Sequence, residues 1–468
     1  MATVVALIVL RMSLGVHFLY EGVWKITHPE FSAEGFLTQA KGPASWIFYA
    51  MVPDIDGSQR LAIVSRPNAE QLLAAWQKAS DDAGTRYEAY VTKDKAFENK
   101  QEAIDQFRMA TARLYWDAEA DLEDWLDRHE AELIGWFADR HEKPADAESS
   151  DAETAKVKAW IAEIGQIEQD FVAGLQKMAD EGDQHAKEAM ARSISPTITD
   201  VGEKTAIDRL VDGDRLVTPK RREILRVDEG VRAETFYARW DGLRQKAIAK
   251  FDLDEKQQYE ANRLFHRYKT SAIEYLDDNQ PDIAAYLGSL DRHQQDVAAD
   301  NNGAPYKKKR NWDEMMKLRG EAGVWLGELE QMGNDFRDAL WNTLDADQQA
   351  RGSLSYGWTQ VDLINLAVTF ALTAIGFCLL VGLGTRFAAI GGGGFMCFVV
   401  LTQPAWPTIY PPDPAVVGHA LLINKDFIEM VALFLIATTA VGRWAGLDYF
   451  LENAALRVYR QWANTKNQ

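Results

Sequence analysis

Three apolar runs near the C-terminus constrain this chain more than any other feature: Leu363–Leu383, Phe387–Leu401 continuing to Trp406, and Phe427–Val441. Only the turn Gly384-Thr385-Arg386 separates the first two. About 18–20 residues almost free of charge are enough to cross the hydrocarbon core of a bilayer as a helix. A fourth run, Thr3–Ile26, lies at the N-terminus. Inside lipid each backbone polar group must be paired within its own segment, and polar side chains need neighbouring helices to face. The expected fold is therefore all-α, a four-helix transmembrane bundle with a large extracytoplasmic helical domain inserted between the first and second spans. The expected boundaries are 1–54 for the first span and an amphipathic outer segment, 55–355 for the insertion, 356–450 for spans two to four, and 451–468 for a tail.

Charge divides the chain in the same way. The whole carries a net charge of −19; residues 1–54 hold −1 and residues 356–468 hold 0, which leaves −18 on the insertion. So acidic a surface argues against a nucleic-acid partner and for a solvated domain. The two cysteines, Cys378 and Cys397, fall in different spans, and no CxxC, CxxCH or zinc-type spacing occurs. Covalent haem, structural zinc, iron–sulfur and thioredoxin-type chemistry are therefore unsupported. The N-terminal run is longer than a signal-peptide core and lacks a small-residue cleavage site, so it is expected to be retained. Arg386 in the short turn, and Arg443, Arg457, Arg460 and Lys466 after the last span, place those regions in the cytoplasm by the positive-inside rule. Both termini then lie inside an inner (cytoplasmic) membrane, and the insertion faces a periplasm-like compartment.

On the first span Arg11, His17, Glu21 and Lys25 fall within about a 120° arc, one polar stripe on an apolar helix. Arg11 sits roughly 14 Å along it, near mid-membrane, where a charge is a functional candidate by default. The plainer alternative is structural, with Glu21 and Lys25 as an i, i+4 ion pair. Phe36–Val52, with Trp46, Phe48 and Tyr49, reads as an amphipathic piece lying on the outer surface.

Residues 66–192 read as helical. Ile104, Phe107, Thr111, Leu114, Ala118, Leu122, Trp125, His129, Leu133 and Trp136 recur at three- and four-residue steps, as do Val157, Trp160, Ile164, Ile167, Phe171, Leu175 and Met178. The break containing Pro144 predicts an antiparallel hairpin with coiled-coil-like packing. Residues 193–231 lose the period and read as a linker or a small irregular subdomain. The basic runs Lys220-Arg221-Arg222 and Lys307-Lys308-Lys309-Arg310 read as solvated loops, with anionic lipid or a partner as the alternative. Helical order resumes at Glu234, at Asp254–Leu276 and along Leu318–Leu344. The hexapeptides beginning at Leu253 and Leu344 resemble each other, either as a duplicated hairpin unit or as recurring helix-start chemistry. The nine tryptophans from Trp76 to Trp341 are read as core.

Because successive spans alternate direction, one set of polar groups should converge on the outer leaflet. His17, Glu21, His419 and Glu429 are the candidates for catalytic proton handling, since burial and neighbours move such groups toward neutral pH. Arg11, Lys25, Asp362, Asn365, Gln403, Asn424 and Lys425 are the candidates for holding a substrate. No metal-ligand set is visible. A quinone entering from lipid would need this equipment: donors for two carbonyls and a proton route.

At these residues the sequence resembles the DoxX/DoxD family of four-helix membrane proteins. The likeness is carried by Leu10–Gly15 with Phe18–Lys25, by Val381–Arg386, by Gly418-His419 with Ile423–Lys425 and Glu429, and by Gly442–Asp448. It covers only residues 1–54 and 356–450. The resemblance implies a subunit of a quinone-linked redox complex of the thiosulfate:quinone oxidoreductase kind, with quinone as cofactor. The 300-residue insertion departs from the compact family pattern. Two functions follow as expectations. One is a redox subunit with a polar site near the outer leaflet; whether the chain itself catalyses is open. The other is a non-catalytic anchor presenting residues 66–350 to a protein partner outside the bilayer.

Overall fold

Helix boundaries follow capping chemistry and apolar spacing. A computed structural model describes residues 1–28, 30–67, 69–93, 99–142, 151–182, 184–198, 227–231, 233–299, 303–406, 409–411 and 423–454. The described chain is mostly helical. In order it forms α1 (Ala2–Thr27), α2 (Glu34–Thr38), α3 (Ser45–Tyr49), β1 (Ile63–Pro67), α4 (Glu70–Lys93), α5 (Lys100–Glu142), α6 (Asp151–Glu181), α7 (Gln184–Ile198) and β2 (Val227–Val231). Then follow α8 (Glu234–Phe251), α9 (Glu255–Ala299), α10 (Pro305–Trp341), α11 (Ala346–Gln349), α12 (Gln360–Val381), α13 (Thr385–Thr402), α14 (Lys425–Thr438) and α15 (Val441–Trp444).

The chain forms two compact units. The first comprises Met1–Arg60, Asp282–Glu328 and Ser355–Gln468. Residues 282–328, which the sequence reading assigns to the acidic insertion, therefore cluster with the apolar helices. Leu14 and Phe18 of α1, Leu372 and Leu379 of α12, Ala389 and Met396 of α13, and Leu433 and Ile436 of α14 share one core. Helices α1 and α12 meet along small residues: a Cβ on Gly15 would lie 2.6 Å from Leu380 N, and one on Gly376 would run into the backbone of Leu19. Such seams are how helices gain packing energy where lipid removes the hydrophobic drive.

Three helices, α1, α12 and α13, are long and apolar enough to cross a membrane. The expected fourth span differs. Helix α14 has 14 residues, a rise of about 21 Å against a hydrocarbon core of about 30 Å. It ends because Thr439 turns extended, at φ −101° and ψ 167°, so the apolar run to Val441 is not one helix.

The segment carrying α2 and α3 lies along α12 and α13. Ala33, Leu37, Phe48 and Val52 form a small core with Ile364 and Phe398 packed against it. Gly42 N donates to Thr402 O at 2.6 Å and Ala44 N to Leu401 O at 3.1 Å. From the 282–328 stretch, Arg319 donates to Thr38 O at 2.7 Å and lies 4.7 Å over the Tyr49 ring.

The second unit comprises Leu61–Pro281 and Leu329–Leu354. Both periodic stripes of α5 and α6 face one core: Leu122, Trp125 and Leu133 meet Trp160, Ile164, Phe171 and Leu175. The expected hairpin is part of a larger layer, because Leu72, Trp76 and Ala83 of α4 and Ala186, Ala189 and Met190 of α7 complete that core. Helix α7 continues through Pro196 to Ile198, beyond the expected boundary at 193. Strands β1 and β2 pair antiparallel with Ile63 opposite Val231, a ribbon that the reading of 193–231 as a linker did not contain. Lys220–Arg222 and the Pro144 break lie outside the described residues.

Candidate functional site

The polar residues expected to converge separate into one mutual cluster and several structural ties. Helix α1 presents His17 and α14 presents Glu429 and Lys425. His17 Nε2 lies 3.4 Å from Glu429 Oε1, Lys425 Nζ lies 3.1 Å from the same ring nitrogen, and Lys425 Nζ lies 3.7 Å from Glu429. Glu429 is 15% exposed in its side chain, His17 33% and Lys425 66%, so the carboxylate is the most covered of the three and the ammonium the most exposed. Asn424 builds this end of α14 by accepting from Phe427 N at 3.0 Å as its N-cap.

An ammonium can only donate, so a Lys425 bond to Nε2 requires a bare lone pair there. A bond from the same nitrogen to Glu429 requires a proton. Both cannot hold together, so the triad has two hydrogen-bonding states, one with Nε2 accepting from Lys425 and one with Nε2 donating to Glu429, which the two tautomers of the ring supply.

One turn beyond His17, Glu21 pairs with Lys25 at 3.3 Å, and Lys25 Nζ also sits 4.7 Å over the Phe31 ring. The remaining candidates hold backbone. Asp362 forms a capping box with Thr359 at the start of α12. Asn365 accepts from Ala33 N at 2.8 Å, and Gln403 donates to Phe36 O at 2.6 Å, so these two fasten the α2 segment to the spans. His419 lies outside the described residues.

Arg11 belongs to a different cluster, where α12 turns into α13. Its side chain is 1% exposed and donates to Ala445 O at 2.8 Å and Val441 O at 3.5 Å. The guanidinium fills space left by Gly382 and Gly446; a Cβ on Gly382 would lie 2.5 Å from Arg11 Nη1. Asp448 accepts from Gly384 N at 2.6 Å and Thr385 N at 3.0 Å, capping α13. Three motifs that are far apart in sequence, around Arg11, Gly382–Arg386 and Gly442–Asp448, thus meet at one place.

Sequence reasoning missed a buried ionisable cluster in the second unit. Glu119 of α5 lies 3.2 Å from His266 Nδ1 and 3.9 Å from Lys269 Nζ of α9, and Lys269 reaches Glu123 at 2.6 Å. Trp116 stacks on His266 at 5.3 Å between centroids. Burial raises the Glu119 carboxyl to about 7, with Lys269 opposing and Glu123 adding to the rise. Burial lowers His266 to about 3, helped by Lys269 and Arg244, so its ring is neutral. The legible signal was Tyr115, Glu119 and Glu123 at i, i+4 spacing beside the apolar stripe.

Comparison of this chain with family models, with curated proteins and with solved structures finds no match in any of the three.

Proposed function

We propose that the chain is a DoxX-like integral membrane protein whose four apolar helices form a bundle in the cytoplasmic membrane, and that it serves a quinone-linked redox complex. The observation that carries this reading is the His17–Lys425–Glu429 triad between α1 and α14, a partly exposed site that sets an imidazole beside an ammonium and a carboxylate. In this reading Lys425 and the imidazole hold a quinone carbonyl arriving from lipid, and Glu429 passes the proton that reduction demands. Electrons come from a partner, because no prosthetic-group motif lies in the sequence. The acidic helical part stands outside the bilayer.

The test uses the purified full-length chain and a ubiquinone analogue, followed by isothermal titration. Glu429→Gln and His17→Ala should each weaken binding by about tenfold or more, the scale of one lost charged hydrogen bond. Unchanged affinity in both variants removes the redox reading.

A second reading, a non-catalytic anchor for a protein partner of the helical domain, is favoured by the roles of Asp362, Asn365, Gln403 and Asn424. All four hydrogen-bond backbone amides or carbonyls and shape the segment around the helix ends. Recovery of one stoichiometric partner by the full-length protein, with no quinone in its lipid extract, selects the anchor.

A further inference from the structure

A second site lies where α13 ends. Lys41, Lys309, Trp312, Ala405, Tyr410 and Pro411 line a shallow cleft, and all belong to the first unit. Lys41 is fixed there by its backbone, whose N–H donates to Gln403 O at 3.2 Å. Its ammonium sits 3.8 Å over the Trp312 ring, and Lys309 precedes Trp312 by three residues on the same face of α10. Residues 307–310, read from sequence as a loop, are thus the first turns of a long helix.

Among the described residues, every polar side chain lining this cleft can donate a hydrogen bond. Neither Lys41 nor Lys309 forms an ion pair among the described residues, although the protein carries an excess of 19 negative charges. The Trp312 indole N–H is buried with no hydrogen-bond partner among the described residues. Burial and nearby Tyr49 push the Tyr410 phenol up to about 12, so it keeps its proton and can donate. No carboxylate lines the cleft among the described residues. Two cations, an indole N–H and a phenol O–H in one concavity suit a singly charged oxyanion.

Its place selects the source of that anion. Ala405 follows the last residue of α13, Thr402, by three positions; exposed Phe36 and Trp46 belong to the segment hydrogen-bonded to this end of α13, and exposed Tyr306 to the first turn of the helix that carries Lys309. Trp and Tyr side chains, with apolar bodies and polar tips, collect at headgroup depth, where anionic lipid phosphates are found. We infer that this cleft is a binding site for the phosphodiester of an anionic phospholipid headgroup, held by Lys41, Lys309 and Trp312. The inference rests on the membrane reading above but not on the quinone site.

The test uses the full-length protein purified in detergent, with native mass spectrometry of retained phosphatidylglycerol against phosphatidylcholine. The wild type should retain phosphatidylglycerol preferentially. Lys41→Gln combined with Lys309→Gln should cut that retention roughly thirtyfold, at about 1 kcal/mol for each lysine. Trp312→Phe keeps the ring and removes the N–H, and should cut retention by a smaller factor. The charge-matched pair Lys156→Gln and Lys317→Gln, whose lysines are in surface ion pairs, should leave it unchanged. Equal retention of both lipids, or unchanged retention in the cleft variant, overturns the site. Displacement of the lipid by millimolar inorganic phosphate overturns the lipid assignment. Alkaline carbonate extraction of membranes distinguishes the underlying reading: release of the protein overturns membrane integration itself, whereas retention without lipid preference overturns only the cleft.

Discussion

Glu119 shows how a single buried group sets a pH dependence. Its folded-state value of about 7 exceeds the ordinary 4.5, so the folded chain keeps a proton that the unfolded chain releases between those values. Its contribution to stability is therefore full below pH 4.5 and is lost as pH rises to about 7. Integrated over that window the loss is about 3 kcal/mol. Glu119→Gln should remove this slope, so that chemical denaturation followed by circular dichroism at pH 5 and pH 8 gives a smaller difference than in the wild type. An unaltered pH slope would show that Glu119 is ionised throughout. Arg11 carries a different prediction. Arg11→Met removes the donor to Ala445 O and should lower thermal stability by about 1–3 kcal/mol while leaving quinone affinity unchanged. Lost affinity without lost stability would move Arg11 back into the site expected from sequence.

Among the elements, the two similar hexapeptides are the most informative. Asp254 caps Gln257 and Asp345 caps Gln348 in the same way, and the two glutamines then hydrogen-bond to each other, with Gln257 Nε2 2.7 Å from Gln348 Oε1. Each also reaches across to the other's preceding segment, Gln257 to Thr343 O at 3.1 Å and Gln348 to Phe251 O at 3.3 Å. Helix-start chemistry alone accounts for the caps but not for their meeting. A double-mutant cycle with Gln257→Ala and Gln348→Ala should give a coupling of about 1 kcal/mol. Additive effects would reduce the similarity to two unrelated caps. The long stripes of α5 and α6 were legible because burial there follows the 3.6-residue period over many turns. The β1–β2 ribbon was not legible, since its partners lie more than 150 residues apart and each strand has only five residues.

For the whole molecule, the arrangement across the membrane is the quantity to measure. With Cys378→Ser and Cys397→Ser removing the native thiols, Asp121→Cys should react with a membrane-impermeant maleimide in intact spheroplasts. A protease site after Gln468 should be cut only once the membrane is permeabilised. Reaction at both without permeabilisation would discard the proposed orientation. The sequence by itself determined the apolar helices, the division of charge and the amphipathic stripes, because these depend on local composition and short-range periodicity. Only tertiary structure decided that His17, Lys425 and Glu429 touch while Asp362, Asn365 and Gln403 fasten backbone. It alone also placed Arg11 against Ala445 and Lys41 beside Trp312. Helical spacing gives the face on which a side chain lies, but its partner depends on how helices distant in sequence cross, and that is set by packing such as the Gly15–Gly376 seam.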